Sequence, residues 1–350
     1  MSDVFIVPTD GSLEHAIDKV SSGGQILIKK GEYYLEDTIL IDKPLRIMGE
    51  GFDATYIIGS AEPRLFDVKT SGRVFMEGIS LIKKDSNVNN ESSCLVSFDC
   101  DEASFIRCSI NGDLKPKGSH ELHGVIVRGQ TLAKISECSV VHCSFGITTT
   151  DTAKVEISNN QINENNYGTC FMGRSSGNAS ANNCYGNIGC CFFSMENSSV
   201  EISGNYCESN GAGIVCSGEY MGLVSSNTCR GNEGPGILIQ DTSAPQIVTN
   251  QCEGNGGSGI LVSETSGGKI RQNNCRSNMM AGIEICDQAC PEITNNSCCY
   301  NGVDGIASLD NSSGMIMDNL CSGNDEQAIF IADTANPIMK ELPFVREMLN

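Results

Sequence analysis

Carboxylates, histidines and lysines gather in two polar stretches in the first half of the chain. These stretches are KKDSNVNNESS, residues 83–93, and NGDLKPKGSHEL, residues 111–122. Carboxylates and histidines that face one groove can transfer protons or hold calcium, which is the chemistry of polysaccharide lyases and glycoside hydrolases. The candidate catalytic residues in and beside the stretches are Asp101, Asp113, His120, Glu121 and His123. Any active site is therefore expected near these two stretches.

The HELH sequence at residues 120–123 has some similarity to a zinc-binding motif. Its histidines are three residues apart, whereas the zinc-protease motif places them about four apart. We predict no metal site and no cofactor, with calcium as the exception if the protein is a lyase.

Acidic side chains recur at a regular interval in the second half of the chain. This acidic ladder consists of Asp241, Glu264, Asp287, Asp310 and Asp333, preceded by Asp151, Glu196 and Glu219 with Arg174 between them. On adjacent strands, ~4.8 Å apart, like charges repel by about 1 kcal/mol in water, which turn residues splayed into solvent can tolerate. The alternatives are a cation-binding edge and a docking strip for a basic partner.

The interval between these acids is that of a repeat that runs through much of the chain. SNTCRGNEGPGILIQD (226–241) and TNQCEGNGGSGILVSE (249–264) share one pattern of asparagine, cysteine and glycine. The first asparagine column is Asn160, Asn182, Asn205, Asn227, Asn250, Asn273, Asn296 and Asn319. The second is Asn165, Asn187, Asn210, Asn232, Asn255, Asn278, Asn301 and Asn324. Between them lie Ile162, Cys184, Cys207, Cys229, Cys252, Cys275, Cys298 and Cys321. The glycine column is Gly146, Gly168, Gly189, Gly213, Gly236, Gly259, Gly282 and Gly305.

Each repeat holds three short segments in which every second residue is apolar, and this alternation is typical of β-strands. Three short strands in every 22 or 23 residues predict an all-β fold, a right-handed, single-stranded parallel β-helix. Asparagines in one column would then hydrogen-bond to each other along the stack. Cysteine would fill the core between the two asparagine columns, and glycine would serve where the backbone bends or takes a positive φ.

The phrase NxCxxNxxxGI resembles the repeats of the right-handed parallel β-helix superfamily, which includes carbohydrate-binding proteins and sugar hydrolases. It is also similar to the β-helical part of certain F-box proteins that present substrates for ubiquitylation. The resemblance covers residues 135–333 closely and the earlier chain more loosely. It implies the fold, but many activities share this scaffold, so it does not select one of them.

The chain is expected to divide into four parts. These are an N-terminal cap with the first coils (1–60), coils carrying the insertions 83–93 and 111–122 (61–134), regular repeats (135–333), and a C-terminal cap (334–350). Ser12 is expected to cap a short helix in SLEHAIDKV, residues 12–20, which would cover the first coil. The apolar segment IMKELPFVREML, residues 338–349, would cover the last coil, since open ends of a β-helix invite aggregation.

A mostly apolar column lies two residues after each glycine. Its members are Ile126, Thr148, Cys170, Cys191, Val215, Leu238, Leu261, Glu284, Ala307 and Phe330. The flanking isoleucines and valines take the inside, so this column is expected to face outward. From it we predict an exposed binding strip of Ile126, Val215, Leu238, Leu261 and Phe330. Such a strip would mark an interface with a partner or a second copy of the chain, unless a loop or tail covers it.

Composition narrows the partners and the compartment. A net charge of −20 argues against nucleic acid, and the chain lacks a run of eighteen apolar residues that could span a membrane. Residues 1–10 have neither a basic region nor an apolar core, so we expect no signal peptide and a cytoplasmic protein. The nineteen cysteines are then expected to act mainly as small apolar core residues instead of forming disulfides.

The sequence favours a non-catalytic recognition scaffold that binds a protein or a glycan through its lateral surface. Away from the insertions the outward columns are apolar or self-paired, and no tryptophan is present to stack on sugar rings. The alternative is a carbohydrate-active enzyme (a polysaccharide lyase, hydrolase or epimerase) with its site near the insertions.

Overall fold

The computed structural model describes residues 3–60, 63–84, 92–112 and 121–340. These residues form β-strands and one α-helix, α1 (Leu13–Lys19), so the predicted all-β class is confirmed. The chain forms two compact units. Unit 1 comprises Met1–Phe193 with Asn197–Glu201, and unit 2 comprises Ser194–Glu196 with Ile202–Asn350.

Unit 1 consists mainly of short parallel strands. They are β1 (Val4–Val7), β2 (Gly24–Ile28), β3 (Gly31–Leu35), β4 (Ile39–Ile41), β5 (Leu45–Gly49), β6 (Thr55–Gly59), β7 (Arg64–Glu77), β8 (Ser80–Lys83), β9 (Ser92–Ile106), β10 (Ser109–Asn111), β11 (Glu121–Val127), β12 (Leu132–Ser136), β13 (Ser139–Val141), β14 (Phe145–Thr149), β15 (Lys154–Ser158), β16 (Gln161–Asn163), β17 (Tyr167–Phe171), β18 (Ser176–Ser180), β19 (Asn183–Tyr185) and β20 (Cys190–Ser194). The next strand, β21 (Ser199–Ser203), contributes residues to both units.

Unit 2 continues the same plan with shorter strands. They are β22 (Tyr206–Glu208), β23 (Ala212–Cys216), β24 (Leu223–Ser225), β25 (Thr228–Arg230), β26 (Ile237–Ile239), β27 (Gln246–Val248), β28 (Gln251–Glu253), β29 (Ile260–Val262), β30 (Lys269–Arg271), β31 (Asn274–Arg276), β32 (Ile283–Ile285), β33 (Glu292–Thr294), β34 (Ser297–Cys299), β35 (Ile306–Ser308), β36 (Met315–Met317), β37 (Leu320–Ser322), β38 (Ile329–Ile331) and β39 (Ile338–Lys340).

One coil holds three strands, which we call first, second and third; β26, β27 and β28 are an example. Each strand pairs in parallel with the same strand of the next coil, so that Ile237 lies opposite Ile260 and Cys252 opposite Cys275. The predicted right-handed parallel β-helix with 22–23 residues per coil is therefore confirmed. In unit 1 the long strands β7 and β9 each run through the first and second positions, because their opening halves pair with first strands and their closing halves with second strands.

The asparagine columns form hydrogen-bonded ladders inside each unit. The Oδ1 atom of Asn250 accepts hydrogen bonds from the backbone N and the Nδ2 of Asn227, each at 3.0 Å. The Nδ2 of Asn250 in turn donates to Asn273 Oδ1 at 3.0 Å and to the carbonyl of Val224 at 2.9 Å. These amides are almost fully buried, and the ladder satisfies the polar atoms that burial would otherwise leave unpaired.

The glycine column serves close backbone approach and not a positive φ, which corrects the expectation from the sequence. A Cβ atom at Gly236 would lie 2.7 Å from the carbonyl oxygen of Gly259, and one at Gly259 would lie 2.6 Å from that of Gly282. Any side chain here would therefore collide with the next coil. The positive φ angles occur instead at turn residues, among them Asp241 and Glu264.

The predicted position of Gly189 in this column is wrong, because Cys191 takes its place. A Cβ on Gly168 would meet the carbonyl oxygen of Cys191 at 2.5 Å. Cys191 is consequently not a member of the outward column; its sulfur bonds to Cys184, with a Cα–Cα distance of 5.6 Å, inside the usual range of about 4.4–6.8 Å. The expectation of reduced, packing cysteines therefore fails for this pair, whereas the inward cysteines Cys229, Cys252, Cys275 and Cys298 form no disulfide and are fully buried.

Helix α1 covers the beginning of unit 1. Ser12 is its N-cap, with a side chain that accepts a hydrogen bond from the backbone N of His15 at 3.3 Å, and Leu13, Ala16 and Ile17 are buried. The described part of the chain contains no helix with the length and apolarity needed to cross a membrane. Residues 341–350 lie outside the described residues, so the C-terminal cap stays a prediction.

Candidate functional site

Both polar stretches connect a third strand to the first strand that follows it. Residues 85–91 connect β8 to β9, and residues 113–120 connect β10 to β11; both segments lie outside the described residues. Because β8 pairs with β10 and β9 pairs with β11, the two connections begin and end on adjacent strands. The outward side of the first strands in unit 1, which we call the first-strand face, starts at these connections.

The candidate catalytic residues fall into three groups. Asp101 and Glu121 are exposed to solvent. Asp113 and His120 lie outside the described residues. His123 is half-buried on the first-strand face, and among the described candidates it alone has a distinctive environment.

The His123 imidazole is held in place from two sides. Its ring stacks on Phe145 with centroids 4.9 Å apart, and its Nδ1 lies 2.7 Å from the hydroxyl oxygen of Thr148. Burial lowers the pKa of His123 to about 4, because the charged form loses hydration there. The ring is therefore neutral near pH 7, and the contact with Thr148 leaves Nε2 as the nitrogen available for proton exchange.

His123 begins a ladder of stacked rings that the sequence did not reveal. Phe145 stacks on Tyr167 with centroids 5.3 Å apart, and Tyr167 stacks on Phe193 at 5.8 Å. All four rings, His123, Phe145, Tyr167 and Phe193, are half-buried, so their rims form a continuous apolar ridge, the aromatic ladder. Such a ridge can contact the C–H faces of an extended ligand.

A cationic cluster lies next to the aromatic ladder. Asp67 is only 6% exposed, and its carboxylate contacts Arg64 at 3.1 Å, Lys69 at 2.9 Å and Arg128 at 3.2 Å. Arg64 lies opposite Cys94 on the neighbouring strand, and Cys94 lies opposite His123 on the strand after that. The cluster and the ladder therefore share one face within unit 1.

Two polar atoms of this cluster have no hydrogen-bond partner among the described residues. They are the hydroxyl of Ser97, which is opposite Asp67 in the sheet, and the Nε of Arg128. The thiol of Cys94 is also near both arginines, but burial outweighs their charge and raises its pKa to about 12. Cys94 is thus a protonated thiol and not a nucleophile.

The predicted binding strip is less exposed than the alternation implies. Ile126, Leu238, Leu261 and Phe330 are half-buried, and Val215 is only 8% exposed. Side chains on adjacent strands stand ~4.8 Å apart and shield one another. The strip's role as an interface stays a prediction.

The acidic ladder is made of turn residues that bind the preceding coil. The backbone N of Asp241 donates to the carboxylate of Glu264 at 2.9 Å, that of Glu264 to Asp287 at 2.9 Å, and that of Asp287 to Asp310 at 3.0 Å. Each carboxylate thereby satisfies an N–H of a residue with positive φ, which offsets the repulsion between neighbours. The exposed Asp333 follows them in the sequence.

Arg174 and Glu219, which were expected in the earlier part of the acidic ladder, each lie one residue after the ladder position. Gly173 and Gly218 have the positive φ angles that Arg174 and Glu219 would need to occupy the ladder position. The carboxylate of Asp241 correspondingly accepts a hydrogen bond from the backbone N of Gly218 at 2.7 Å. The coil is shorter before each of these positions, and the spacing read from the sequence did not account for that change.

Within the described ranges, one group of potential metal ligands has its donor atoms within 4.8 Å of one another: Cys286, Asp287 and Asp310. Both carboxylates already accept backbone hydrogen bonds. Burial, followed by the charge of Asp287, raises the pKa of the Cys286 thiol to about 12, so a thiolate ligand is disfavoured. This group does not form a convincing metal centre.

The chain matches the sequence profile described as "Right handed beta helix region" over residues 74–252 and 235–342. No curated protein sequence matches it. Its fold is similar to the A-module of a mannuronan C-5 epimerase from Azotobacter vinelandii, with a TM-score of 0.67, 15% identity, and coverage of 97% of this chain and 100% of that one. It is also similar to a periplasmic alginate epimerase mutant, with a TM-score of 0.66, 15% identity, and coverage of 95% and 84%. A GH87 alpha-1,3-glucanase from Streptomyces thermodiastaticus gives a TM-score of 0.61 at 10% identity, covering 93% of this chain and 65% of the glucanase.

Proposed function

Because this chain belongs to the right-handed β-helix family, we propose that it is a carbohydrate-active enzyme that holds a polysaccharide on the first-strand face of unit 1. The observation that carries the proposal is the aromatic ladder beside the cationic cluster, at the strands where both insertions begin and end. The epimerases and the glucanase that share the fold act on polysaccharides by their names, which supports a glycan partner.

The two parts of the face suit different parts of a sugar. The aromatic ladder crosses successive coils and offers apolar contact to the C–H groups of an extended chain. Charged and polar groups at Arg64, Arg128 and Lys69 would fix the orientation of the sugar's oxygens. A few polar groups beside an apolar surface are the usual composition of a small-molecule site.

His123 is the residue that we assign to proton transfer. Its neutral ring can take a proton from a sugar carbon or hydroxyl and return it, and Thr148 restrains the ring through Nδ1. A pKa of about 4 makes the free imidazole a weak base. An anionic substrate held nearby would stabilise the imidazolium and strengthen that base during the reaction.

The test is turnover of a panel of acidic and neutral polysaccharides by the whole chain. New reducing ends report hydrolysis, unsaturated products report a lyase, and deuterium incorporated from heavy water reports an epimerase. His123→Phe keeps a ring in the aromatic ladder but removes the proton-transfer group, so it should abolish turnover. His15→Gln is the matched control, because His15 is exposed on α1, and its turnover should be unchanged.

A second function is favoured by one observation. Among the described residues, the carboxylates of Asp101 and Glu121 are exposed, and no described carboxylate is bonded to His123. This arrangement also suits a recognition protein that binds a glycan without altering it. Binding of a polysaccharide without any product, in the native chain and in His123→Phe alike, would select this function over the enzyme.

A further inference from the structure

We propose that Arg64, Lys69 and Arg128 form an oxyanion-binding site that takes one carboxylate or sulfate group of an acidic polysaccharide. The assignment of the anion to a polysaccharide rests on the proposed function. The existence of the anion site rests on the geometry of the cluster.

The charges of the cluster are not balanced. Three cationic side chains contact the single carboxylate of Asp67, in a protein whose net charge is −20. Asp67 neutralises one of them, so the contact group carries two further positive charges. Asp99, the next acidic residue across the sheet from Lys69, is exposed, and water screens its charge. The protein as a whole is acidic and does not attract anions. Positive charge concentrated at this one place therefore favours binding of a specific anion there.

The cluster also has unused hydrogen-bonding capacity. The Nε of Arg128 and the hydroxyl of Ser97 are buried without a partner among the described residues. Asp67 engages one terminal nitrogen of each arginine, Nη1 of Arg64 and Nη2 of Arg128. A guanidinium has five N–H donors, so both side chains keep donors for a planar or tetrahedral oxyanion.

The three cationic side chains are accessible to solvent. The side chains of Arg64 and Arg128 are 25% and 24% exposed, and that of Lys69 is 52% exposed. Asp67 lies beneath them and is almost wholly covered. Asp67 therefore orders the three cations from below, and their solvent-facing donors can receive an anion from above.

The position of the site points to a group carried on the glycan. Arg64, Cys94 and His123 occupy matching positions on three successive strands, so the anion would lie next to the beginning of the aromatic ladder. A polysaccharide whose residues bear carboxylate or sulfate groups could place one of them at the arginines and the following sugars along the rings. A neutral polysaccharide would use the ladder alone.

The experiment is calorimetric titration of the whole chain with three kinds of oligosaccharide: uronate, sulfated and neutral. Arg64→Gln and Arg128→Gln should each weaken binding of an acidic oligosaccharide by about 10-fold or more, because each removes a charge-assisted contact. The loss should diminish at high salt, since the removed interaction is electrostatic. Circular dichroism will verify folding, and Lys69→Gln provides a third variant if either arginine change disturbs it.

Lys134→Gln is the matched control. Lys134 is also a cation on the outside of unit 1, but it pairs with Glu156 at 3.1 Å on the second strands, so its loss should leave affinity unchanged. Equal affinity for acidic and neutral oligosaccharides, or normal affinity in the arginine variants, would overturn the site. If no oligosaccharide binds but inorganic sulfate binds in an arginine-dependent manner, the anion site stands and the proposed polysaccharide function fails.

Discussion

Replacement of Asn273 by alanine should cost more stability than any change on the surface of its coil. The Asn273 side chain accepts from the backbone N and the Nδ2 of Asn250 at 2.9 and 3.0 Å, and it donates to the carbonyl of Ile247 at 2.9 Å and to Asn296 Oδ1 at 3.0 Å. Alanine removes both the acceptor and the donor. Two buried donors of Asn250 lose their partner.

The magnitude follows from those orphaned groups. Each buried donor or acceptor without a partner costs about 1–3 kcal/mol. With two donors and one carbonyl affected, and some relaxation of the coil, Asn273→Ala should lower the free energy of unfolding by about 3–5 kcal/mol. The neighbouring Asn274→Ala is the control: Asn274 is exposed on β31, and its loss should change stability by no more than about 0.5 kcal/mol.

The assay is equilibrium urea unfolding combined with amide hydrogen exchange. Solenoids can unfold in parts, so a global transition alone can hide a local loss of stability, and hydrogen exchange near Asn250 reports on that coil directly. Faster exchange should be concentrated in the coils that contain Asn250 and Asn296. Equal, small effects of the Asn273 and Asn274 substitutions would refute the claim that the asparagine ladder stabilises the fold.

Other properties of the structure make further predictions. Because the folded-state pKa of His123 is about 4 and its usual value is 6.5, the unfolded chain gains a proton first as pH falls, and stability should drop by about 1.4 kcal/mol per pH unit between those values. His123→Phe should remove that part of the pH dependence in urea unfolding, and an unchanged slope would contradict the assignment. Cys252→Ala, at a fully buried position, should cost about 1–3 kcal/mol in the same assay without changing activity; lost activity with normal stability would show that the thiol has another role. If the binding strip is an interface, Leu238→Glu with Leu261→Glu should abolish self-association in light scattering or partner capture, and unchanged behaviour in both would remove the strip from consideration. Glu264→Gln keeps an acceptor for the N–H of Asp241 and should change stability by under about 1 kcal/mol, whereas a large loss would mean that the charge itself matters.

The regular part of the fold was predictable because equivalent residues of successive repeats contact each other directly. Asn250 and Asn273 recur at the coil interval since each amide bonds to the next. Cys252 lies opposite Cys275 because the same parallel register stacks equivalent residues of successive coils. Local repetition in the sequence becomes adjacency in space when strands stack in parallel.

Some positions were not predictable, because there the coil changes length without changing composition. Cys191 occupies the glycine position although Gly189 stands two residues earlier, and Gly218 holds the turn that Glu219 was assigned to. The close approach of a neighbouring backbone decides which residue takes these positions, and that approach cannot be read from a single sequence.

The candidate site was predictable only in part. His123 was a candidate from its place beside an insertion, but its stacking on Phe145 depends on exact register across coils of unequal length. The cationic cluster was missed because Arg64 and Arg128 are far apart in the sequence and converge on Asp67 only when β7, β9 and β11 are aligned.

We propose that a glycan occupies the first-strand face of unit 1 at His123. The most direct measurement is a nuclear magnetic resonance titration of the histidine rings, labelled with carbon-13, against acidic and neutral oligosaccharides. The chain has four histidines, and Gln substitutions would assign their signals. We expect the His123 signal to shift with saturating ligand while that of His15, exposed on α1, stays constant. A His123 signal that does not move while an oligosaccharide binds would show that the glycan does not occupy this face.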